Sequence, residues 1–284
     1  PPWDIRSADI LAFPRDLYLA RADVLFRLTA GKPAVVVVPL AALIQKVVPR
    51  QVFADYVAPV SVGDTLERDG FVEKLLAGGF ARAPVVEARG EFSVRGHIID
   101  IFPPAEEMPL RLEFVGDELE SIRRFDPATQ RSASELAEFV LSPAAELILS
   151  PARRQRAVRN IRARANELEL PALIRNRLIE MVGEGSLSQV NPLYLPLFYD
   201  SLRDSLGDGL RESPAGDAGA PGDDDGEKTG TFFDYLPPDS LIVGDDPLAL
   251  TRSGEEIRND IDRVLLKAAG EAAFYLERET SFLP

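Results

Sequence analysis

Residues 90–132 read GEFSVRGHIIDIFPPAEEMPLRLEFVGDELESIRRFDPATQRS, and this stretch decides the fold of the middle of the chain. Apolar and polar side chains alternate in its first run, which predicts a β-strand because successive side chains point to opposite faces. The alternation places Phe92 and Val94 on one face and Ser93 and Arg95 on the other. We therefore predict a strand with one buried face and one outward face.

The alternation returns in LRLEFV, residues 110–115, which predicts a second half-buried strand. The inward positions are Leu110, Leu112 and Phe114, and the outward positions are Arg111, Glu113 and Val115. By strand geometry, the outward arginine and glutamate lie about 7 Å apart on one face. That face is either a solvated surface or a docking surface in which a guanidinium is paired with a carboxylate beside apolar area. Composition does not separate the two.

The composition of the chain excludes several kinds of site. Its 284 residues are 45% hydrophobic and 27% charged, as in ordinary globular proteins. It has no cysteine and one histidine, which excludes disulfides and thiolate metal sites and argues against a histidine-based metal site. Because no apolar run approaches the roughly 18 residues of a membrane span, we expect a cytoplasmic protein. The first residue is Pro1 rather than methionine, which suggests a piece of a longer protein.

The net charge of −14 is distributed unevenly along the chain. Residues 1–60 have 7 basic and 5 acidic side chains, residues 61–142 have 9 and 16, and residues 143–284 have 16 and 25. Nucleic-acid phosphates repel such an acidic surface. Any contact with nucleic acid therefore requires a local basic patch or sequence outside these residues.

The first 60 residues have the rhythm of an α/β layer. Residues 16–28 carry apolar side chains at helical spacing, and residues 40–47 are helical again. Between them, the apolar run AVVVV, residues 34–38, predicts a fully buried strand. Helix, buried strand and helix in succession predict a parallel sheet covered by helices.

The C-terminal half contains a basic helical segment and an acidic insertion. Residues 153–177 include eight arginines and two glutamates. A helix here would spread Arg153, Arg156, Arg159 and Arg164 around a polar arc and place Val158 and Ile161 inward. Such a helix either contacts DNA phosphates or is a solvated face beside acidic neighbours. Residues 213–230 are rich in Gly, Pro and Asp, which predicts a flexible surface insertion. Order resumes at residue 232, with a buried strand at 241–243 and a helix at about 253–276.

Few residues are candidates for chemistry. His97 is interpreted as a structural histidine, and Glu106 and Glu107 as solvated loop residues. The sequence contains neither G-x-x-x-x-G-K-[ST] nor G-x-G-x-x-G. The segment LIVGDD ends an apolar run with Asp245 and Asp246, and P-loop ATPases hold magnesium at such a strand end. By itself this pattern indicates a site only weakly.

Several ordered motifs between Gly90 and Ser132 resemble a known family. They are the R-G at Arg95, then L-R-L-E-F, G-D-E and R-x-F-D-P-x-T-Q-R. Together they resemble the UvrA-binding module of bacterial excision repair, which occurs in the damage-verifying subunit UvrB and in the transcription-repair coupling factors. Residues 232–246 resemble the D-Y-F-P…L-I-V-D-E-S-H segment of the same proteins, and residues 1–49 resemble the first domain of the coupling factors.

Two departures favour the coupling factors over UvrB. The acidic strand end keeps Asp245, but Asp246 replaces the glutamate and Pro247-Leu248 replace serine and histidine. UvrB also has a long aromatic hairpin that clamps DNA, and the stretch before residue 16 leaves room for a short connection at most. The alternative is a piece of the UvrB excinuclease subunit, a damage-verifying ATPase, whose phosphate loop lies outside this sequence.

The resemblance implies an α/β fold class: a degenerate P-loop (RecA-like), UvrB-like scaffold with an inserted α+β UvrA-interaction domain. It also implies three domains. Residues 1–60 would be the C-terminal part of the first UvrB-like domain (1a), and residues 61–142 the UvrB-type interaction domain (2). Residues 143–284 would be the second UvrB-like domain (1b), which carries the insertion.

The resemblance further implies that the chain recruits UvrA. The family's UvrA-contacting positions fall on five residues of this chain: Arg82, Arg95, Arg111, Glu113 and Val115. The coupling factors usually have an aromatic residue at the last of these positions. In the family a distant C-terminal domain masks this surface, so we expect these 284 residues to bind UvrA constitutively.

The resemblance implies no ATP hydrolysis in the chain itself. Asp245 and Asp246 are interpreted as a degenerate Walker B strand end, and we expect no catalytic residue, metal site or cofactor site in these residues. In the full-length family members, ATP and magnesium belong to the motor domains of a DNA translocase. RNA polymerase and double-stranded DNA are contacted by parts outside the region that this chain resembles.

Overall fold

The computed structural model describes five parts of the chain: residues 1–3, 14–31, 34–184, 191–200 and 228–283. Within these parts, no helix is both long and apolar enough to cross a membrane. The chain divides into two compact units. The sheet unit consists of Pro14–Val35 and Arg50–Ser150, and the helical unit of Pro1–Phe13, Val36–Pro49 and Pro151–Pro284. The three-domain division at residues 60 and 142 stays a prediction.

Helices and strands are numbered here in chain order. The helices are α1 (Arg15–Thr29), α2 (Leu40–Leu43), α3 (Arg50–Asp55), α4 (Arg68–Ala77), α5 (Pro151–Glu167), α6 (Ala172–Glu184), α7 (Pro196–Tyr199), α8 (Pro247–Gly270) and α9 (Arg278–Ser281). Short 3₁₀ helices cover Pro192–Tyr194 and Phe232–Tyr235. The strands are β1 (Ala58–Ser61), β2 (Ala81–Arg82), β3 (Glu91–Arg95), β4 (Ile98–Ile101), β5 (Leu110–Val115), β6 (Glu118–Phe125), β7 (Ser132–Leu136) and β8 (Glu138–Leu141). The predicted α/β fold class is confirmed at the level of mixed helices and sheets.

The sheet unit is built around a six-stranded sheet in the order β2-β3-β4-β5-β6-β7. β2 and β3 are parallel, and the other neighbouring strands are antiparallel. Gly96 and Gly116 occupy the turns after β3 and β5 with φ of 59° and 63°, a conformation that glycine adopts without steric cost. The two alternating runs of the sequence are β3 and β5, and β4 lies between them. β1 and β8 form a separate antiparallel pair.

One face of the six-stranded sheet packs on α4 and forms the core of the sheet unit. The predicted inward residues Leu110, Leu112 and Phe114 are at most 2% exposed, as the alternation requires. The ring of Phe114 lies 6.5 Å from that of Phe71 on α4, measured between centroids. Full burial of a side chain of this size stabilises a fold by about 1.5–3 kcal/mol. The alternation therefore identified the core face correctly.

Helix α1 confirms the helix expected at residues 16–28, and it is tied to the end of the sheet unit by a buried ion pair. Arg21 Nε donates a hydrogen bond of 2.8 Å to Glu146 Oε1. The two side chains are 7% and 2% exposed. A buried charge is tolerated only when it is paired, so this contact requires α1 and the segment around Glu146 to fold together.

In the helical unit, α5 packs against α6 and α7. The basic stretch at residues 153–177 is thus two helices rather than one, because Glu169 has a φ of 50° and Pro171 cannot continue a helix. Ile161 is buried as expected, but Arg164 is also buried, at 6% exposed. The expectation that Arg164 lies on the polar arc is wrong, because its guanidinium binds Glu167 and Glu277 at 3.2 and 3.4 Å.

Two apolar runs expected to be buried strands are not strands. Val35 and Val37 are 96% and 92% exposed, and residues 34–38 pair with no strand within the described residues. Leu241 and Val243 are 88% and 78% exposed, again without a strand partner in the described part. A strand requires backbone N–H and C=O partners from a neighbouring strand, which an apolar pattern cannot supply. The parallel sheet expected from these runs is therefore absent from the described residues.

The helix expected at residues 40–47 is shorter than predicted. α2 ends at Leu43, and Gln45 forms an isolated bridge to Phe282. The Gln45 amide donates to Trp3 O at 2.9 Å and accepts from Trp3 N at 3.0 Å, so this residue serves a tertiary contact instead of a helix. The insertion predicted at residues 213–230 lies outside the described residues except for residues 228–230.

Candidate protein-docking face

The face of the six-stranded sheet turned away from α4, here called the outer face, carries a row of polar residues across five strands. The register pairs each residue with the next along the row: Ser93, Asp100, Arg111, Arg123 and Glu135. A second row runs beside the first and consists of Arg95, Ile98, Glu113 and Ser121. Cross-strand neighbours of opposite charge stabilise such a pairing, and the first row contains two of them, Asp100 with Arg111 and Arg123 with Glu135.

Asp100 is the central residue of the outer face, and its side chain is 1% exposed. Arg111 Nε donates to Asp100 Oδ1 at 2.7 Å, and Arg111 Nη2 donates to Oδ2 at 2.9 Å. Arg95 Nη2 donates to the same Oδ2. The hydrogen bonds that Arg111 donates to Asp100 raise the pKa of Arg111, whereas burial of the guanidinium lowers it. A single buried carboxylate therefore fixes two guanidinium groups.

Arg111 is held by further contacts on its other sides. Its guanidinium carbon lies 4.8 Å from the ring centroid of Phe125, within the range of a cation–π contact. Its Nη1 donates to the backbone oxygen of Gln130 at 3.5 Å. The side chain is 15% exposed, so it is a fixed rather than a mobile charge with a small part open to solvent. Arginine is suited to this position because its planar guanidinium can form a bidentate ion pair and stack on an aromatic ring at the same time.

One end of the outer face is covered by the loop between β2 and β3. Val86 from this loop forms a buried cluster with Phe102 and Phe125. Two hydrogen bonds hold the loop down: Ser93 Oγ donates to Pro84 O at 3.0 Å, and Gln130 Nε2 donates to Val86 O at 3.2 Å. The Asp100–Arg111 pair lies beside this cover.

The other end of the outer face is open to solvent. Val115 is 63% exposed there, and the Arg95 side chain is 48% exposed. Glu113 accepts hydrogen bonds from Ser121 Oγ at 2.8 Å and from Arg123 Nη1 at 3.4 Å, and its side chain is 23% exposed. This open end, with Arg95, Ile98, Glu113 and Val115, is here called the docking patch. It combines charged and apolar area, as protein interfaces do.

The structure brings together four of the five residues that the resemblance implies. Arg95, Arg111, Glu113 and Val115 lie on the outer face, whereas Arg82 does not belong to it by strand pairing. The register sets Arg82 beside Phe92, whose side chain is in the core, and Arg82 is exposed at the edge of the sheet. The assignment of all five residues to partner contact stays a prediction.

Sequence reasoning missed Asp100 and Gln130. The outward direction of Asp100 could have been predicted from the run IIDI, residues 98–101. Asp100 is two residues after the outward residue Ile98 and therefore points to the same face, whereas Ile99 and Ile101 point to the opposite face. Gln130 is positioned by the turn D-P-A-T-Q-R, where Asp126 Oδ1 accepts from Thr129 N at 2.7 Å. That hydrogen bond lowers the pKa of Asp126. The position of Gln130 beside Arg111 depends on the fold of this turn and had no signal in the sequence.

Asp246, interpreted as part of a degenerate strand end, has a structural role. It is the N-cap of α8, and its Oδ1 accepts from Ala249 N at 3.1 Å. The cap explains why α8 starts at Pro247 rather than near residue 253. Asp245 is exposed beside it.

The other candidate residues lie away from the docking patch or in turns. His97 is exposed in the turn between β3 and β4 rather than structural in the core. Glu106 is not fully solvated, because it pairs with Arg124 at 3.3 Å and its side chain is 19% exposed. Within the described residues, no cluster of histidine and acidic side chains could hold a metal ion.

Comparison with known proteins places the docking patch inside a recognised domain. Residues 59–147 match the family model of the UvrB interaction domain. The chain is 33% identical to a transcription-repair-coupling factor of Myxococcus xanthus over 92% of its own length and 20% of that protein. It is 29% identical to the Bacillus subtilis protein of the same name, over 92% of this chain and 21% of that protein. The chain thus spans about a fifth of the length of these relatives, and the resemblance stated from the sequence is confirmed.

Proposed function

Since residues 59–147 are a UvrB interaction domain within a chain similar to transcription-repair-coupling factors over most of its length, we propose that this chain recruits UvrA through the docking patch. In this proposal Arg95, Glu113 and Val115 contact UvrA directly. Arg111 contributes the exposed part of its side chain, and Arg82 adds a contact from the edge of the sheet. The role couples transcription to repair, as the names of the relatives suggest.

The observation that carries the proposal is the fixed geometry of the charges around Asp100. Arg95 and Arg111 are bound to one buried carboxylate before any partner arrives. A surface that contacts only solvent does not require a buried carboxylate to hold its arginines, because exposed ion pairs form and break at little cost in free energy. Preorganised charge beside the exposed side chain of Val115 supports a docking surface over a solvated face.

The proposal is tested by measuring the affinity of purified UvrA for the 284-residue chain by isothermal titration calorimetry. Val115→Glu removes exposed apolar area and adds a charge to the patch. We expect it to weaken binding at least tenfold, the effect of about 1.4 kcal/mol lost at an interface. Because the side chain is exposed, the thermal midpoint stays near that of the wild type. Unchanged affinity would exclude the docking patch as the contact surface.

A matched control is Val140→Glu on β8, which introduces the same charge at another exposed valine of the sheet unit. It leaves UvrA affinity unchanged if the effect is local to the docking patch. Arg95→Ala is the charge variant of choice, because Asp100 keeps its bidentate bond to Arg111. Arg111→Ala is a poorer test, since it removes packing on Phe125 and most of the partners of a buried carboxylate. We expect Arg111→Ala to lower the thermal midpoint as well.

We propose that the 284 residues do not hydrolyse ATP by themselves. The support is the sequence, which lacks a G-x-x-x-x-G-K-[ST] loop, together with the use of Asp246 as a helix cap. ATP, magnesium, RNA polymerase and the double-stranded DNA on which the motor domains act are assigned in this proposal to other parts of the full-length relatives. A phosphate-release assay on the purified chain with magnesium and ATP checks this, and steady turnover that Asp245→Ala abolishes would contradict it.

We also propose that the chain is part of a degenerate P-loop scaffold, in which residues 34–38 and 241–243 become strands only when they pair with segments of a full-length protein outside these 284 residues. The support is their apolar and exposed character. Amide hydrogen exchange tests this proposal. Exchange should be fast at both segments in the 284-residue chain and slow in a full-length coupling factor. Equal, fast exchange in both proteins would contradict the scaffold.

A further inference from the structure

A second surface lies in the helical unit, in an open groove between α5 and α6. The groove has a volume of about 630 Å³ and is lined by Arg162, Asn166, Arg175, Asn176, Ile179 and Glu180. Guanidinium and amide groups are the donors that proteins direct at phosphate oxygens. We propose that this groove binds the phosphate backbone of duplex DNA. The proposal is independent of UvrA recruitment, because it concerns another compact unit.

The charge of the two helices contrasts with that of the rest of the chain. Residues 151–184 contain eight arginines and four glutamates, with neither lysine nor aspartate, which gives a net charge of +4. The whole chain has a net charge of −14, so the remaining residues together carry −18. A basic region of this size in an acidic protein attracts polyanions such as nucleic acids to one part of the surface.

The structure separates the arginines of this region into engaged and free groups. Arg164 is buried against Glu167 and Glu277, and Arg156 donates to Tyr199 O at 3.0 Å. By contrast, Arg162 and Arg175 form neither an ion pair nor a hydrogen bond with any described residue. Both Arg162 and Arg175 line the groove. Because no carboxylate holds them, a phosphate can bind without breaking an existing ion pair.

The residues that line the groove favour duplex DNA over single-stranded nucleic acid. Single-stranded DNA and RNA are bound mainly by aromatic side chains on which bases stack. None of the six lining residues is aromatic, and the donors in the groove suit backbone oxygens. Duplex DNA, whose bases are stacked internally and whose phosphates face outward, fits this lining better. Glu180 is the one acidic lining residue, and it opposes the binding of any phosphate.

The test is a titration of a fluorescein-labelled duplex of about 20 base pairs with the 284-residue chain, followed by anisotropy at about 50 to 200 mM salt. We expect weak binding that loses affinity as salt increases. The double variant Arg162→Ala and Arg175→Ala should weaken binding at least tenfold at the lowest salt. It should also reduce the slope of log affinity against log salt by about 1.8, since each phosphate contact contributes about 0.9.

Two further variants make the test specific to the groove. Arg252→Ala with Arg258→Ala removes the same charge from two exposed positions of α8 and should leave DNA affinity within twofold. Glu180→Gln removes the opposing charge and should tighten binding several-fold, an increase that a nonspecific loss of fold cannot produce. All substituted side chains except Glu180 are arginines with no described partner, so the circular dichroism spectrum and thermal midpoint should stay at wild-type values.

Three outcomes would overturn the proposal. They are the absence of salt-dependent DNA binding by the wild type, equal loss of affinity in the α8 control, and tighter binding to single-stranded DNA of the same length. If the chain instead binds polyglutamate and ignores the duplex, the groove is a site for an acidic protein segment.

Discussion

Asp100 and Arg111 lie directly opposite each other on β4 and β5, and their ion pair is almost closed to water, with side chains 1% and 15% exposed. Arg95 from β3 shares the same carboxylate. Three strands thus contribute to one charged cluster at the border between the covered and the open parts of the outer face. Side chains already held in place lose little conformational entropy on binding, which favours affinity and specificity.

The first prediction concerns this shared carboxylate. Asp100→Asn leaves two guanidinium groups facing each other without a negative charge, and removing one partner of a buried ion pair costs about 3–5 kcal/mol. We expect the free energy of unfolding to fall by that order in urea denaturation. At a temperature where the variant is still folded, UvrA affinity should fall as well, because Arg95 and Arg111 lose their fixed positions.

The matched control is Asp117→Asn, which changes the same group at an exposed position in the turn between β5 and β6. It should leave both the free energy of unfolding and UvrA affinity near wild-type values. A wild-type free energy of unfolding for Asp100→Asn would show that the carboxylate does not organise the outer face.

The second prediction concerns Val115, where the coupling factors usually have an aromatic residue. Val115→Phe adds apolar area at a side chain that is already 63% exposed. The added area is worth about 1 kcal/mol, or roughly a fivefold gain in UvrA affinity measured by calorimetry. Val140→Phe at the exposed position on β8 is the control and should give no gain. A loss of affinity on Val115→Phe would mean that the partner surface accommodates a small side chain at this position.

The third prediction concerns alkaline stability. Burial raises the pKa of Tyr18 above its ordinary value of 10.0, and the negative charge of Glu146 adds to this effect. The unfolded state therefore loses the Tyr18 proton at a lower pH than the folded state. The contribution of this group is complete below pH 10 and decreases as pH rises toward the folded-state value, by about 1.4 kcal/mol for each pH unit.

Tyr18→Phe removes this dependence. We expect the difference in free energy of unfolding between wild type and Tyr18→Phe, measured in urea, to shift in favour of the variant between about pH 9 and pH 11. Lysines and other tyrosines titrate equally in both proteins and cancel in the difference. A difference that is constant with pH would show that Tyr18 ionises as easily in the folded state as in the unfolded state.

The fourth prediction concerns the cap of α8. Asp246 has a φ of 49° and accepts a hydrogen bond from Ala249 N. Asp246→Ala loses the cap and places an alanine in a left-handed conformation, so it should destabilise by about 1–3 kcal/mol. Asp246→Asn keeps the acceptor and tolerates this backbone, and it should remain near wild type. Thermal denaturation followed by circular dichroism separates these variants, and Asp245→Ala is the control at the preceding exposed position.

Local pattern was sufficient to place the side chains of β5 on the two faces of the sheet. The alternation in β5 identified its three inward residues, and helical spacing at residues 16–28 identified α1. It failed for residues 34–38 and 241–243, whose composition matches that of buried strands. Whether such a run becomes a strand depends on hydrogen-bond partners elsewhere in the chain, which composition does not reveal.

On the outer face, too, the sequence predicted part of the arrangement and the tertiary structure decided the rest. Sequence alone specified that Arg95, Arg111, Glu113 and Val115 point outward, because alternation along a strand is a local property. The tertiary structure decided that Arg95 and Arg111 meet on Asp100 and that Val86 covers the neighbouring end of the sheet. Those contacts join residues on different strands and on the β2–β3 loop. They follow from the register between strands and the path of the β2–β3 loop, which are set only when the whole sheet packs.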